Sequence, residues 1–226
     1  MAAIKVLVLD VNETLSDLEP LRARFTAAGL AEESLDTWFA ATLRDGFALT
    51  AADSYAGFRT IGGDVLKAQL AAAGLEPSED VVTGILSGFT ELSTYPDVAP
   101  GLRRLRELGI RLVTLTNGAA RMSERMFTEA GVLDLLEYRL DVETTGKWKP
   151  HHAAYEYAAN VCGVSPEQMA LVAVHPWDVD GARRAGLRGW YLDRRGTPYP
   201  EAFLAPDLIA SDLVELATVI EEDATR

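Results

Sequence analysis

The chain has a single cysteine, Cys162, in 226 residues. It can therefore form no disulfide within itself and no cysteine-based zinc cluster, since both need several thiols. Positive charge is also scarce: 21 Lys and Arg against 34 Asp and Glu leave a formal charge of −13. Nucleic acid and anionic membranes are drawn to basic surface, so neither is an expected partner. A small anionic substrate stays open, provided its site has positive charge of its own. No apolar run approaches the ~20 residues of a membrane span. Lys5 and Asp10 interrupt the short apolar N-terminus, so no secretory signal is read. Internal repeats and low-complexity tracts are missing too. With hydrophobic residues at 48% and charged residues at 24%, these absences leave an ordinary globular protein, expected in the cytoplasm.

What is present is patterned. Residues 4–10, IKVLVLD, are apolar and β-branched, as in a strand covered on both faces. Similar runs recur at 110–116 (IRLVTLT), 169–175 (MALVAVH) and 188–193 (RGWYLD). Helical periodicity fills 99–108, 119–131, 151–161 and 177–186. Strands alternating with helices predict parallel βαβ units with right-handed crossovers. From about 18 to 95 the pattern is helical throughout, with breaks at Gly29, Gly74 and 76–80 (EPSED). The expected fold is α/β: a Rossmann-like parallel-sheet core formed by 1–16 and 97–226, with a helical cap, 17–96, inserted after the first strand.

In open parallel sheets, ligands bind beyond the carboxyl ends of the strands. Four polar clusters fall there: 10–14 (DVNET), 116–118 (TNG), 147–150 (KWKP) and 175–178 (HPWD). Taken singly, each has an ordinary structural reading. Asp10 could cap a turn, Asn117-Gly118 could be a tight turn, Lys149 could be a solvated surface residue, and His175 could be a satisfied core histidine. Their coincidence on one rim is what argues for a site.

In order and spacing the four clusters resemble the motifs of the haloacid dehalogenase superfamily. VLDVNETL is similar to its first motif, an Asp at a strand end with a Thr four residues later. TLTNG is similar to the second, the Lys-Pro at 149–150 to the third, and VAVHPWDVDGARRAG to the fourth. The resemblance spans essentially the whole chain, and the helical insertion lies where this superfamily carries its cap. It implies that Asp10 is a nucleophile forming a covalent ester intermediate. Thr14 and the backbone N–H groups just after Asp10 would orient its oxygens, and Lys149 would keep it ionised. Asp178 would hold Lys149 or position the attacking water. Thr116 and Asn117 would bind substrate ahead of a helix at 119–131 whose free N–H groups could hold an anion.

The superfamily's largest class is the magnesium-dependent phosphatases, and two features set this chain apart from them. Asn12 stands where they have a second, proton-donating Asp, and an amide cannot do that work. Ala173-Val174 stands where they have an acidic metal ligand, while magnesium wants oxygen. Asp180 would not make up the deficit, because helical phasing turns it about 160–200° from Asp178. The chain instead resembles the metal-independent L-2-haloacid dehalogenase branch, with Trp177-Asp178 matching its Trp-Asp pair and Tyr155 following Lys-Pro as it does there. That branch implies removal of halide from a short 2-halo carboxylic acid, a small anionic substrate, with no metal or other cofactor, in a homodimer.

Departures from the branch are specific. Asn12-Glu13 replaces Tyr-Gly, and Phe39 replaces the halide-contacting Arg of a Trp-Arg pair. Val174 and His175 stand where the branch has Ser and Asn. Arg44 lies about 140° around a helix from Phe39 and is no direct substitute. His175, three residues before Asp178, is expected to act as a general base for ester hydrolysis, its reference pKa of about 6.5 suiting that role. Asn12, Thr14, Thr116, Asn117, Phe39, Tyr155 and Trp177 are the expected substrate contacts. The alternatives are a magnesium-dependent phosphatase and a catalytically silent binding protein of the same fold.

Overall fold

The computed structural model describes residues 3–224. Six parallel strands form one sheet in the order β3-β2-β1-β4-β5-β6. These are β1 (Val6–Leu9), β2 (Arg111–Thr116), β3 (Leu136–Asp141), β4 (Met169–Ala173), β5 (Arg188–Leu192) and β6 (Leu208–Ala210). β1 lies at the centre, with Val8 opposite Val113 on one side and Leu171 on the other. All four of its residues are buried, as a strand covered by helices on both faces requires. The chain runs outward from β1 through β2 to β3, then returns to the other side of β1 at β4. The reversal puts the topological switch point beside the carboxyl end of β1, the usual place for a ligand in open sheets.

Between β1 and residue 96 the chain forms four α-helices: α1 (Arg22–Ala27), α2 (Ser34–Ala51), α3 (Phe58–Ala72) and α4 (Glu79–Ser87). The rest of the chain supplies α5 (Val98–Glu107), α6 (Glu124–Glu129), α7 (His152–Cys162), α8 (Pro176–Arg184) and α9 (Leu213–Ala224). The inserted helices bury Phe25, Trp38 and Leu66 among themselves. They also fasten to the loop before Lys149. Trp148 donates its backbone N–H to Thr50 Oγ1 at 3.0 Å and its indole N–H to the Ala56 carbonyl at 3.0 Å. Gly46 makes the approach possible, since a Cβ there would lie 2.4 Å from the Trp148 ring.

Three elements differ from the sequence reading. β3 and β6 were not expected, because β3 (LEYRLD) buries only two of its six residues and β6 has three residues in all. The helix expected at 119–131 is broken into a 3₁₀ turn at Ala120–Ser123 and the short α6. Asp141 accepts the Ala120 N–H at 2.9 Å, which holds the turn down and uses one of the donors expected to bind an anion. α6 begins only at Glu124, with an acidic residue in its first turn, so it offers no anion site beside Asn117.

Candidate active site

Asp10 follows β1 directly, held in line by its backbone N–H donating to Val172 at 3.1 Å. The next turn is tight: Leu15 and Ser16 both donate to the Val11 carbonyl, and Glu13 sits at φ 61°. That conformation costs a non-glycine residue roughly 1–2 kcal/mol. It brings Thr14 back over the nucleophile, where its hydroxyl donates to Asp10 Oδ2 at 2.6 Å and accepts the Val174 N–H at 3.1 Å. The backbone N–H groups after Asp10 do not join it. Those of Val11 and Asn12 donate to no group among the described residues, so the expectation that they orient the Asp10 oxygens is corrected. Thr14 and Lys149 do that work.

Lys149 is fully buried, and its ammonium lies 2.9 Å from Asp10 Oδ1 and 2.6 Å from Asp178 Oδ2. Asn117 positions its backbone by accepting the Lys149 N–H at 2.8 Å and donating to its carbonyl at 3.1 Å. Asp178 is also fully buried, and its second oxygen accepts from the Tyr155 hydroxyl at 2.6 Å. Gly181 on α8 allows this approach, for a Cβ there would meet Tyr155 Oη at 2.7 Å. Asp178 therefore holds Lys149, and each of its oxygens already accepts a hydrogen bond. Thr14, Asn117 and Tyr155, expected as substrate contacts, also direct polar atoms at the catalytic groups or their backbone.

One ammonium between two buried carboxylates separates their acidities. Burial pushes the Asp10 carboxyl up, but Lys149, then His175 and the Thr14 hydrogen bond, outweigh it and hold Asp10 below the ordinary carboxylate range. For Asp178 burial prevails over Lys149, and repulsion from Asp10 adds to it, so its carboxyl lies above that range. Burial lowers Lys149, yet the two carboxylates more than compensate and it is raised. Burial and the neighbouring Asp178 raise the Tyr155 phenol well above its usual value, so it is a standing donor.

His175 faces the same carboxylate. Its Nε2 lies 3.1 Å from the Asn12 carbonyl, 3.6 Å from Asp10 Oδ2 and 3.8 Å from Glu13 Oε2. A carbonyl can only accept, so Nε2 carries the hydrogen. At this contact Nε2 acts as a donor, the polarity opposite to a base's. The ring is stacked on Trp177, with centroids 5.0 Å apart and planes at 18°. Phe47 packs on Trp177 at 5.0 Å, while Phe39 lies 6.2 Å from His175 and 6.3 Å from Phe58. Phe39 and Trp177 thus roof the site with rings.

Asn12 and Thr116 line a cavity of about 260 Å³ between the strand ends and the inserted helices. Arg44 is spent outside it on Asp45, and Asp180 pairs with Arg184. Sequence reasoning missed Arg194, which donates to the Thr14 carbonyl at 2.9 and 3.1 Å and pairs with Asp97. The only sequence signal for it was its place just beyond a strand end. The donor set does not fit magnesium. Asp10 Oδ1 and Asp178 Oδ2 already face an ammonium, and Ala173 and Val174 offer no side-chain oxygen. Among the described residues no group of three or more His, Cys, Asp or Glu is arranged to hold a metal ion.

A family model for haloacid dehalogenase-like hydrolases matches residues 4–186, and the chain belongs to that family. Within it, the chain is similar to (S)-2-haloacid dehalogenase 4A of Burkholderia cepacia, 27% identical over 227 residues covering 99% of this chain and 98% of the relative. It is 29% identical to haloacetate dehalogenase H-2 of Moraxella sp. (strain B) over 163 residues, 68% of this chain and 73% of the relative. The structure of L-2-haloacid dehalogenase from Xanthobacter autotrophicus superposes with a TM-score of 0.88 at 25% identity, covering 96% of this chain and 98% of that one.

Proposed function

We propose that the chain is a hydrolytic 2-haloacid dehalogenase working without a metal, in which residues 17–96 act as a cap over a core of 1–16 and 97–226. One observation carries the reading. Lys149 bridges Asp10 and Asp178 at 2.9 and 2.6 Å, where a phosphatase of this fold would need free oxygen ligands for magnesium. No helix among the described residues is long and apolar enough to cross a membrane. The reading includes a cytoplasmic homodimer, the dimer being an expectation drawn from the family resemblance.

In this reading an oxygen of Asp10 attacks the carbon beside the substrate carboxylate. A carbon–oxygen bond forms, the carbon–halogen bond breaks, and halide leaves with the electron pair. Halide needs no proton, which fits Asn12 at the place of the phosphatase acid. Water then adds to Asp10 Cγ and releases one proton to solvent, the developing oxyanion being stabilised by Lys149. The Cγ–O bond to the substrate breaks, and the departing alkoxide takes the proton of His175 Nε2 to become a 2-hydroxy acid. Asp10, left as an acid whose pKa is lowered, returns a proton to His175. The balance is one water consumed for one halide and one proton released.

The test is halide release from chloroacetate and both enantiomers of 2-chloropropionate. Release with at least one of them, unchanged by EDTA, is the expected result. Phosphate release from phosphate esters that is lost to EDTA and restored by magnesium, without halide release, would overturn it.

A further inference from the structure

A second cavity, also about 260 Å³, is lined by His175 and Phe39, and the two differ in charge. The second one carries Glu13, Asp17, Glu19 and Asp36 on its walls, against two arginines. Both arginines are neutralised there: Arg22 pairs with Glu19 and Asp36, and Arg195 with Glu13. An anion gains nothing in it. The cavity lined by Asn12 and Thr116 differs, with two arginines on its walls against one acid, Glu143. Arg59, at the start of α3, lines it, and among the described residues this is the one arginine with neither a hydrogen bond nor an ion pair. Arg121 lines it too, partnered only by Glu143 at 3.5 Å with both side chains largely exposed.

The cavity is also larger than a short haloacid needs. A three-carbon 2-halo acid has six heavy atoms; at about the 30 Å³ apiece that a water takes up in the liquid, it leaves roughly a third of the space unfilled. Phe58, Phe89 and Met122 are among its walls. Such walls suit methylene carbons, and a free guanidinium beyond them suits a carboxylate, which it can meet with two parallel N–H groups. In a protein of net charge −13, a cation left unpaired beside the nucleophile's loop is the local positive charge that an anionic ligand requires.

We propose that this cavity receives a second anionic group of the substrate, met by Arg59 and then by Arg121, so that the preferred acid is a 2-halo dicarboxylate. The proposal rests on the dehalogenase reading for its chemistry and adds the substrate class. The first carboxylate and the halogen stay at Asp10, and the second carboxylate sits at the far end of the cavity.

The experiment measures kcat/KM at low ionic strength for 2-chlorosuccinate, 2-chloroglutarate and 2-chloroadipate. Each is set against the monoacid of equal chain length, from 2-chlorobutanoate to 2-chlorohexanoate, with chloroacetate as reference. The best diacid should exceed its monoacid at least about tenfold, and Arg59→Gln should lower kcat/KM for that diacid about tenfold more than for its monoacid. A preference of the wild type for the monoacids, or an equal effect of Arg59→Gln on both series, overturns the proposal. In parallel, calorimetry compares glutarate with pentanoate, which need no chemistry. If no acid releases halide, the dehalogenase reading fails on its own. The anion site then stands if glutarate binds more tightly than pentanoate and Arg59→Gln removes the difference, and falls if it does not.

Discussion

On one side of Asp10 lie Thr14, Lys149, Asp178 and Tyr155, all fully buried and joined by hydrogen bonds of 2.6 to 2.9 Å, while on the other lie Phe39, Phe58, Trp177 and His175, held mainly by ring contacts 5.0 to 6.3 Å apart. The difference shows which part of such a site can vary. A buried network of charges has one arrangement that satisfies every donor and acceptor, and losing any member strands another. Packed rings impose only volume and shape, and they tolerate exchange so long as both are kept. The polar side therefore fixes the ester chemistry, and the ring side leaves the leaving group and the rest of the substrate open to change.

Lys149→Met breaks the polar side and has the largest expected effect. Two buried carboxylates then face each other without a cation, at a cost of about 3–5 kcal/mol in folding stability. The sign of the pH effect follows from Asp10. Its depressed pKa contributes stability that is present above the unfolded value of about 3.9 and is lost as pH falls through the lower folded value. Without Lys149, burial is opposed only by His175 and the Thr14 hydrogen bond, so the Asp10 pKa rises and the acid limb of kcat/KM moves upward. Turnover near pH 5 should drop far more than turnover near pH 8. A pH–rate profile whose acid limb does not move would show that Lys149 is not what keeps Asp10 ionised.

The same contrast explains what could be read from the sequence. Asp10, Lys149 and Asp178 were legible because each follows a signal that survives without coordinates: an apolar run, a Lys-Pro, a Trp-Asp. The four strands with mostly apolar sequence were legible for the same reason. β3 and β6 were not, because an edge strand that buries little of its surface has weak periodicity. The partners of Tyr155, Asn117 and His175 were not legible because a side chain's partner depends on tertiary approach, such as the one Gly181 permits. Arg59 was invisible for a related reason: nothing local marks an arginine as unpaired.

Glu13→Gly is the smallest expected effect, and it sharpens the comparison at its border. Glycine removes the strain at φ 61° but gives up the ion pair with Arg195, which is largely exposed and worth about 0–1 kcal/mol. The net is a gain of about 1 kcal/mol or less, a rise in Tm of roughly 2–4 °C at most for a chain of this size. Turnover should fall several-fold, since the carboxylate 3.8 Å from His175 Nε2 is lost. A variant more stable and equally active would mean that the strain serves nothing at the site.

The central claim is that Asp10 is alkylated and then hydrolysed at its own carbonyl. A single turnover with enzyme in excess, in water enriched in ¹⁸O, followed by mass spectrometry of the peptide carrying Asp10, tests it most directly. The account predicts that the label appears in the Asp10 carboxylate and that the first product is unlabelled. Label in the product hydroxyl alone, with Asp10 unlabelled, would mean that water attacks the substrate directly and would contradict it.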